Sequence, residues 1–285
     1  MLKQITDFGP NPRNVSMYIY APATLHSTYK SPILVDLHDC NETVDKHFLY
    51  SGWPVLGDAN YFITIYPNAS NNPDQCWDVS SKESLTHEGG GDAQGIASMV
   101  RWTLANYPTD PDRVFVTGAG SGAMMTNVLL GSYPDVFAAG SAWSGVPFGC
   151  FAADGYDVWS DECASGKIIK NGSEWGTLVR NAYPGYTGFR PKVQTLHGSM
   201  DTRLSPQNLN EQVKQWVDVL GLDPNAAEVK DNTPKTGWTR IRYGNKLEAY
   251  DVRGVEDVPN DTWTLADFFN LTCVDSTCYS RKNGK

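Results

Sequence analysis

Nothing in the 285 residues approaches twenty consecutive apolar side chains, so no segment is expected to span a membrane. Basic residues are in the minority. Lys and Arg number 23 against 32 Asp and Glu, a formal charge of −9 with a pI near 5.0, which argues against a nucleic-acid partner held through its phosphates. No two cysteines stand at C-x-x-C spacing, and neither a metal ion nor an organic cofactor is expected. Histidine is scarce: His26, His38, His47, His87 and His197 are all there are, and none follows position 197. Internal repeats, linkers and low-complexity tracts are missing too. With 40% hydrophobic residues, residues 1–285 are expected to form one domain around one large core, as a monomer.

What is present points outside the cell. The six cysteines, Cys40, Cys76, Cys150, Cys163, Cys273 and Cys278, are even in number. Six N-x-S/T sequons stand at Asn14, Asn41, Asn68, Asn171, Asn260 and Asn270. Together they predict a secreted, disulfide-bonded glycoprotein. The chain opens MLKQITDFGP without an apolar stretch, so a signal peptide is expected to have been removed.

The chain is organised around Val114–Met125, VFVTGAGSGAMM. A short β-branched and aromatic run enters a glycine cluster and leaves it with helical spacing, which is the strand–turn–helix of a nucleophile elbow, G-x-S-x-G. Gly118 and Gly122 hold the flanking places, and the centre is Gly120 where a nucleophile belongs. Around this motif, strands are expected at Met17–Tyr20, Pro32–Leu37, Tyr61–Tyr66, Phe137–Ser144, Lys192–Leu196 and Leu247–Val252. Helices are expected at Asp92–Tyr107, around Leu209–Leu220 and at Thr262–Phe269, with residues 145–191 as an insertion over the sheet. Alternating strands and helices imply an α/β fold with a mostly parallel sheet covered on both faces.

Several long stretches then carry a specific likeness: QCWDVSSKESLTHEGGGDAQGIASMV, DRVFVTGAGSGAMMTNVLLGSYPDVFAAGSAWSGVPFGC, YPGYTGFRPK and HGSMDTRLSPQN. The sequence resembles the fungal acetylxylan and feruloyl esterases of carbohydrate esterase family one, kin of the polyhydroxybutyrate depolymerases, almost end to end. The resemblance implies an α/β-hydrolase fold and a triad in the order Ser, Asp, His. The family's G-x-S-S-G-A-M-M falls on Gly118–Met125 and puts Gly120 at the nucleophile position. H-G-x-x-D falls on His197–Asp201, so Asp201 is the retained aspartate. The late G-V-G-H-x-V-P falls on RGVEDVP and puts Glu256 at the histidine position. The likeness also implies Cys40 and Ser121 as oxyanion-hole residues, and Trp77, Trp143 and His38 as ligand-facing. It suggests the pairs Cys40–Cys76, Cys150–Cys163 and Cys273–Cys278, other pairings staying open from sequence alone.

With two of three catalytic groups replaced, the expected function is a non-hydrolytic homologue that binds plant cell-wall carbohydrate of the xylan type, or a small aromatic ester. The alternative is a working ester hydrolase on acetylated or feruloylated xylan. It would use Ser121 as a displaced nucleophile, since Ala119 and Ala123 are also small, or a water activated by Glu256. Asp201 and Glu256 could also share a proton or hold a cation. Further aromatic candidates for stacking on sugars are Trp159, Trp175, Tyr183 and Tyr186.

Overall fold

A computed structural model describes residues 1–26, 28–259, 261–273, 275 and 277–284. In chain order its elements are β1 (Lys3–Ile5), β2 (Ser16–Tyr20), β3 (Ser31–Leu37), α1 (Val44–Tyr50), α2 (Trp53–Asn60), β4 (Ile63–Asn68), α3 (Asp92–Asn106), β5 (Thr109–Ala119) and α4 (Ser121–Ser132). They continue as β6 (Ala139–Trp143), α5 (Asp161–Ala164), α6 (Gly172–Ala182), β7 (Lys192–Gly198), α7 (Gln207–Leu220), β8 (Glu228–Lys230), β9 (Trp238–Tyr243), β10 (Leu247–Val252) and α8 (Thr262–Phe269).

The strands form one sheet in the order β1-β2-β4-β3-β5-β6-β7-β10-β9-β8. The central six, from β4 to β10, pair in parallel, and antiparallel strands close both edges. Burial explains the composition of the middle strands. All seven residues of β3 are buried, as are all five of β6, because helices cover both faces. On one face Val35, Val116 and Met125 belong to a core built under α3, α4, α6 and α7. On the other, Leu34, Phe115 and Trp143 pack with α2 and α8. The α/β-hydrolase reading therefore holds.

Several boundaries differ from the sequence reading, for identifiable reasons. Tyr61 is not in a strand; it caps α2 in a left-handed conformation at φ 61°, its N–H on Gly57 O, and β4 begins two residues later. α1 and α2 are too short to show helical periodicity, and Thr43 starts the first by accepting from Lys46 N. The 145–191 segment carries a real helix, α6, opened by a reciprocal capping box between Asn171 and Glu174. The edge strands β1 and β8 have three residues each, and neither they nor the neighbouring β9 carries an apolar run.

Candidate active site

The candidate residues gather where the parallel strands end at their carboxyl edges, the usual ligand end of an open α/β sheet. β3 delivers His38–Cys40, β5 delivers Gly120, β7 delivers Asp201 and β10 delivers Glu256. The elbow is built as its sequence suggests. Gly120 sits at φ 52°, ψ −117°, a conformation that costs an L side chain about 1–3 kcal/mol. A Cβ on Gly118 would lie 2.6 Å from the Gly122 carbonyl carbon, and one on Gly122 would lie 2.2 Å from Leu37 O, so both flanks must be glycine. α4 then runs with every residue buried, beneath the sheet and its neighbours.

The site is not empty at the missing nucleophile. A Cβ built on Gly120 would meet Asp39 Oδ1 at 2.2 Å, Cγ at 2.4 Å and Oδ2 at 2.5 Å. The Asp39 carboxylate therefore lies where a serine side chain would stand. Its Oδ1 accepts the backbone N–H of Cys40 at 2.7 Å and that of Ser121 at 2.8 Å. Two N–H groups converging on one oxygen, the second at a helix N-terminus, make the geometry of an oxyanion hole, filled here by the protein's own carboxylate. Burial pushes the Asp39 pKa up, against the two N–H donors and the charge of Arg203. Sequence reasoning passed over this residue. The available sign was an acidic side chain directly preceding Cys40, opposite an elbow with no side chain.

Ser121 is 4% exposed, and its Oγ accepts the Trp77 N–H at 2.8 Å. No histidine or carboxylate is hydrogen-bonded to that Oγ among the described residues. Asp201 Oδ2 faces His197 Nε2 at 3.1 Å, a nitrogen that also reaches Leu204 O at 2.8 Å. Asp201 Oδ1 takes the N–H groups of Arg203 and Leu204. Burial raises the Asp201 pKa, but the His197 bond and these N–H groups outweigh it and hold it below the usual value. Asp201 is thus ionised, not half of a proton-sharing pair. Glu256 is exposed and accepts the Thr202 hydroxyl at 2.6 Å. No described hydrogen bond joins it to Asp201, and the two do not form a cation-binding cluster of three or more ligands among the described residues.

One ligand-facing expectation needs correcting. His38 is fully buried, with Nδ1 on Asp39 O at 2.7 Å and Nε2 accepting Ala69 N–H at 3.1 Å; burial lowers its pKa to about 4. It is a neutral structural residue. Trp77 is 1% exposed, donates Nε1–H to His38 O at 2.9 Å and packs on the His38 ring, which supports the oxyanion loop, and it also borders a 160 Å³ cavity beside Ser121. Trp175 is fully buried in the core, and Tyr183 is stacked between His87 and Tyr186. Trp143 borders a 210 Å³ cavity beside Ala119, with Nε1 on Ser141 Oγ. Three disulfides join Cys40–Cys76, Cys150–Cys163 and Cys273–Cys278, and the first ties the oxyanion loop to the strand of chain leading to Trp77. Of the sequons, Asn14 and Asn41 are exposed, and Asn171 is exposed while its oxygen caps α6. Asn68 and Asn270 are half-buried, and Asn260 lies outside the described residues.

The same cavity holds a charged group that sequence reading missed. His47 Nε2 lies 2.8 Å from Asp36 Oδ2, and its Nδ1 lies 3.1 Å from Glu42 Oε2, which also accepts the Asp39 N–H. Burial pulls the His47 pKa down, but the Asp36 and Glu42 carboxylates more than reverse this and hold it at about 10. Because the folded value is raised above the unfolded 6.5, the associated stability is complete below pH 6.5 and disappears as pH rises to about 10. Thermal unfolding of the protein is therefore expected to drop in temperature across pH 6.5–10. His47→Gln should flatten that slope; an unchanged slope would assign the pH dependence elsewhere.

Residues 15–232 match the family model described as esterase PHB depolymerase. The chain belongs to this esterase family. Relatives of this esterase-family chain include the probable acetylxylan esterase A of Aspergillus flavus and the acetylxylan esterase A of Aspergillus oryzae. Each is 46% identical over 257 residues, covering 89% of this chain and 83% of the relative. Among solved structures, the acetyl xylan esterase from Aspergillus awamori superposes with a TM-score of 0.92 at 41% identity, covering 95% of this chain and 99% of that one. The serine hydrolase FphF of Staphylococcus aureus, 16% identical with a TM-score of 0.54, shares the fold.

Proposed function

We propose that this member of the esterase family is a secreted, non-hydrolytic protein that binds plant cell-wall polysaccharide of the xylan type. One observation carries the reading: the Asp39 carboxylate occupies both the nucleophile's place at Gly120 and the paired N–H groups of Cys40 and Ser121. Acyl transfer needs a nucleophile, a base and a hole for the developing oxyanion. Here Gly120 brings no nucleophile, the chain has no histidine after position 197 to act as base, and the hole is already filled by the Asp39 carboxyl group. The names of the relatives supply the ligand class, acetylated xylan. The three disulfides suit an oxidising compartment.

The test pairs two assays on one preparation. Acetate release from acetylated xylan and hydrolysis of p-nitrophenyl acetate should stay at the level of an inert protein, against a family member with an intact triad. Migration in a native gel containing xylan should be retarded. Turnover near the control, abolished by Ser121→Ala, would overturn the reading in favour of a displaced nucleophile. Absence of both turnover and retardation would remove the polysaccharide from it.

A further inference from the structure

The parallel strands have two ends, and the candidate site uses only the carboxyl one. β7 runs seven residues from Lys192 to Gly198, so roughly 20 Å separates its first residue from the Asp201 loop. At the amino end Lys192 opens β7 and Lys246 directly precedes β10, with Val193 N–H on Lys246 O. The segment entering β7 adds Tyr186, Phe189 and Arg190. The C-terminal segment adds Arg281, whose N–H meets Asp112 O near the start of β5. Each cation lies against a ring. Lys192 Nζ is 4.0 Å from the centroid of Phe268, Lys246 Nζ is 4.7 Å and Arg281 Cζ 5.9 Å from that of Phe189, and Arg190 Cζ is 5.2 Å from that of Tyr186. Burial raises the Tyr186 pKa and the charges of Arg281 and Arg190 both oppose it, so these cations form one strip. Arg242 closes the strip beside Lys192, where the two border a 270 Å³ cavity with Asn245 and Glu248.

The strip is not neutralised from within. Among the described residues Arg190, Lys192, Lys246 and Arg281 have no salt-bridge partner, in a chain where acidic groups outnumber basic ones. The carboxylates around it are engaged: Glu248 accepts from Arg242, Gln194 and Tyr250, Asp112 holds Lys282, Asp218 holds Arg180 and Asp135 stands beside His87. Exposed Asp267 acts on Lys192 from α8 without closing to a salt bridge. Lys192 carries three N–H donors, and Phe268 O takes one. Burial holds its pKa down, against the pull of Glu248, so an anion entering the adjoining cavity would stabilise its charge. Stacking occupies the flat face of a guanidinium and leaves most of its N–H edge, the part that pairs with carboxylates.

A single anion fills the cavity and meets only Lys192 and Arg242, whereas the strip continues to Lys246, Arg281 and Arg190 and matches charges set at intervals. Nucleic acid packs a phosphate about every 1.7 Å of duplex, a density that the −9 charge of the chain opposes. A chain of uronic acids is sparser, with one carboxylate on each sugar.

We propose that this strip is a second binding surface, at the end of the sheet away from the candidate site, and that it takes a polyuronate. One carboxylate seats in the cavity between Lys192 and Arg242, and those that follow along the chain meet Lys246, Arg281 and Arg190. The surface acts whatever the elbow end binds.

Calorimetric titration of the whole protein with hexagalacturonate, and with neutral xylohexaose beside it, tests this. Hexagalacturonate should bind, and its affinity should fall about tenfold or more between roughly 50 and 200 mM salt. Joint Lys246→Gln and Arg190→Gln substitution should weaken it by about tenfold or more and leave any xylohexaose binding unchanged. Joint Lys246→Arg and Arg190→Lys substitution, which keeps both charges, should retain most of the affinity. Should the glutamine pair fail to fold, the salt dependence and the charge-keeping pair decide. No heat with hexagalacturonate at low salt, indifference to salt, or binding untouched by the glutamine pair would overturn the strip and leave the polysaccharide reading of the elbow end standing. Tighter binding of a single-stranded oligonucleotide with six phosphates would overturn the uronate in favour of a phosphate polymer. Hexagalacturonate binding without xylohexaose binding would support the strip while counting against the xylan reading.

Discussion

A protein carrying Gly120→Ser and Glu256→His is expected to remain inert toward p-nitrophenyl acetate, and adding Asp39→Gly should raise hydrolysis by about a thousandfold or more. The family resemblance suggests the two-residue repair, because it puts Gly120 and Glu256 at the positions of the triad's serine and histidine. The structure adds a third obstacle. A serine Cβ at position 120 would overlap the Asp39 carboxylate, with all three of its terminal atoms within 2.5 Å. That carboxyl group is pinned by two N–H groups, so pushing it aside still leaves an acidic side chain competing for the donors where the oxyanion must form. Removing it frees both donors, each of which is worth about a hundredfold to a thousandfold in the rate of acyl transfer. Position 256 is already beside the Asp201 loop, through the bond from Thr202 to Glu256 and that from Met200 N to Val255 O. Initial rates of the double and triple variants decide the matter. A ratio near one would show that Asp39 is not what blocks the site.

Asp78→Ala should cost about 3–5 kcal/mol of stability and lower the melting temperature by roughly 10 °C. Asp78 is fully buried and accepts six donors: the N–H and hydroxyl of Ser80, the N–H and hydroxyl of Ser81, the Ser84 hydroxyl and the Asp157 N–H. Burial raises its pKa, but these donors outweigh burial and keep it below the ordinary value. Its contribution is thus present above the unfolded pKa of 3.8 and is lost as pH falls through the lower folded one. Alanine leaves the Ser80 and Ser81 N–H groups and the Ser81 and Ser84 hydroxyls without this acceptor in the interior, while the Ser80 hydroxyl keeps Gly155 O. Asp78→Asn is the informative companion. Oδ1 takes the Ser80, Ser81 and Asp157 N–H groups, while Oδ2 takes only the Ser81 and Ser84 hydroxyls, which can rotate to accept from an amide. The asparagine variant should recover most of the loss. If alanine and asparagine melt together, the hydrogen bonds are not the source of the effect.

The legible part of this molecule was the part dictated by period and by steric necessity. The elbow could be read because Gly118, Gly120 and Gly122 each occupy a place where a side chain meets backbone or the half-buried Asp39 carboxylate. β10 and α8 fall at Leu247–Val252 and Thr262–Phe269, as their patterns foretold. α1 and α2, of seven and eight residues, carry too few turns for a pattern, so the loop between β3 and β4 looked featureless. That omission hid His47, whose partners Asp36 and Glu42 come from before and within the same loop. Asp39 was hidden for a different reason. Its significance lies in a contact with Ser121, 82 positions away, and side-chain type alone does not announce which backbone donors it will meet. His38 was misplaced because proximity to a cleft in sequence does not say which way a ring turns; it turned inward, onto the Trp77 ring.

The shape of the turn at Gly120 is held by Leu37 O and by the mutual approach of Gly118 and Gly122, none of which takes part in chemistry. The fold therefore fixes the shape of this turn independently of the side chain at its tip, since relaxing it would mean unpacking β3 from α4. Substitutions at Asp39, Gly120 and Glu256, on three separate loops, can thus change the chemistry of the site with no rebuilding of the framework that presents them.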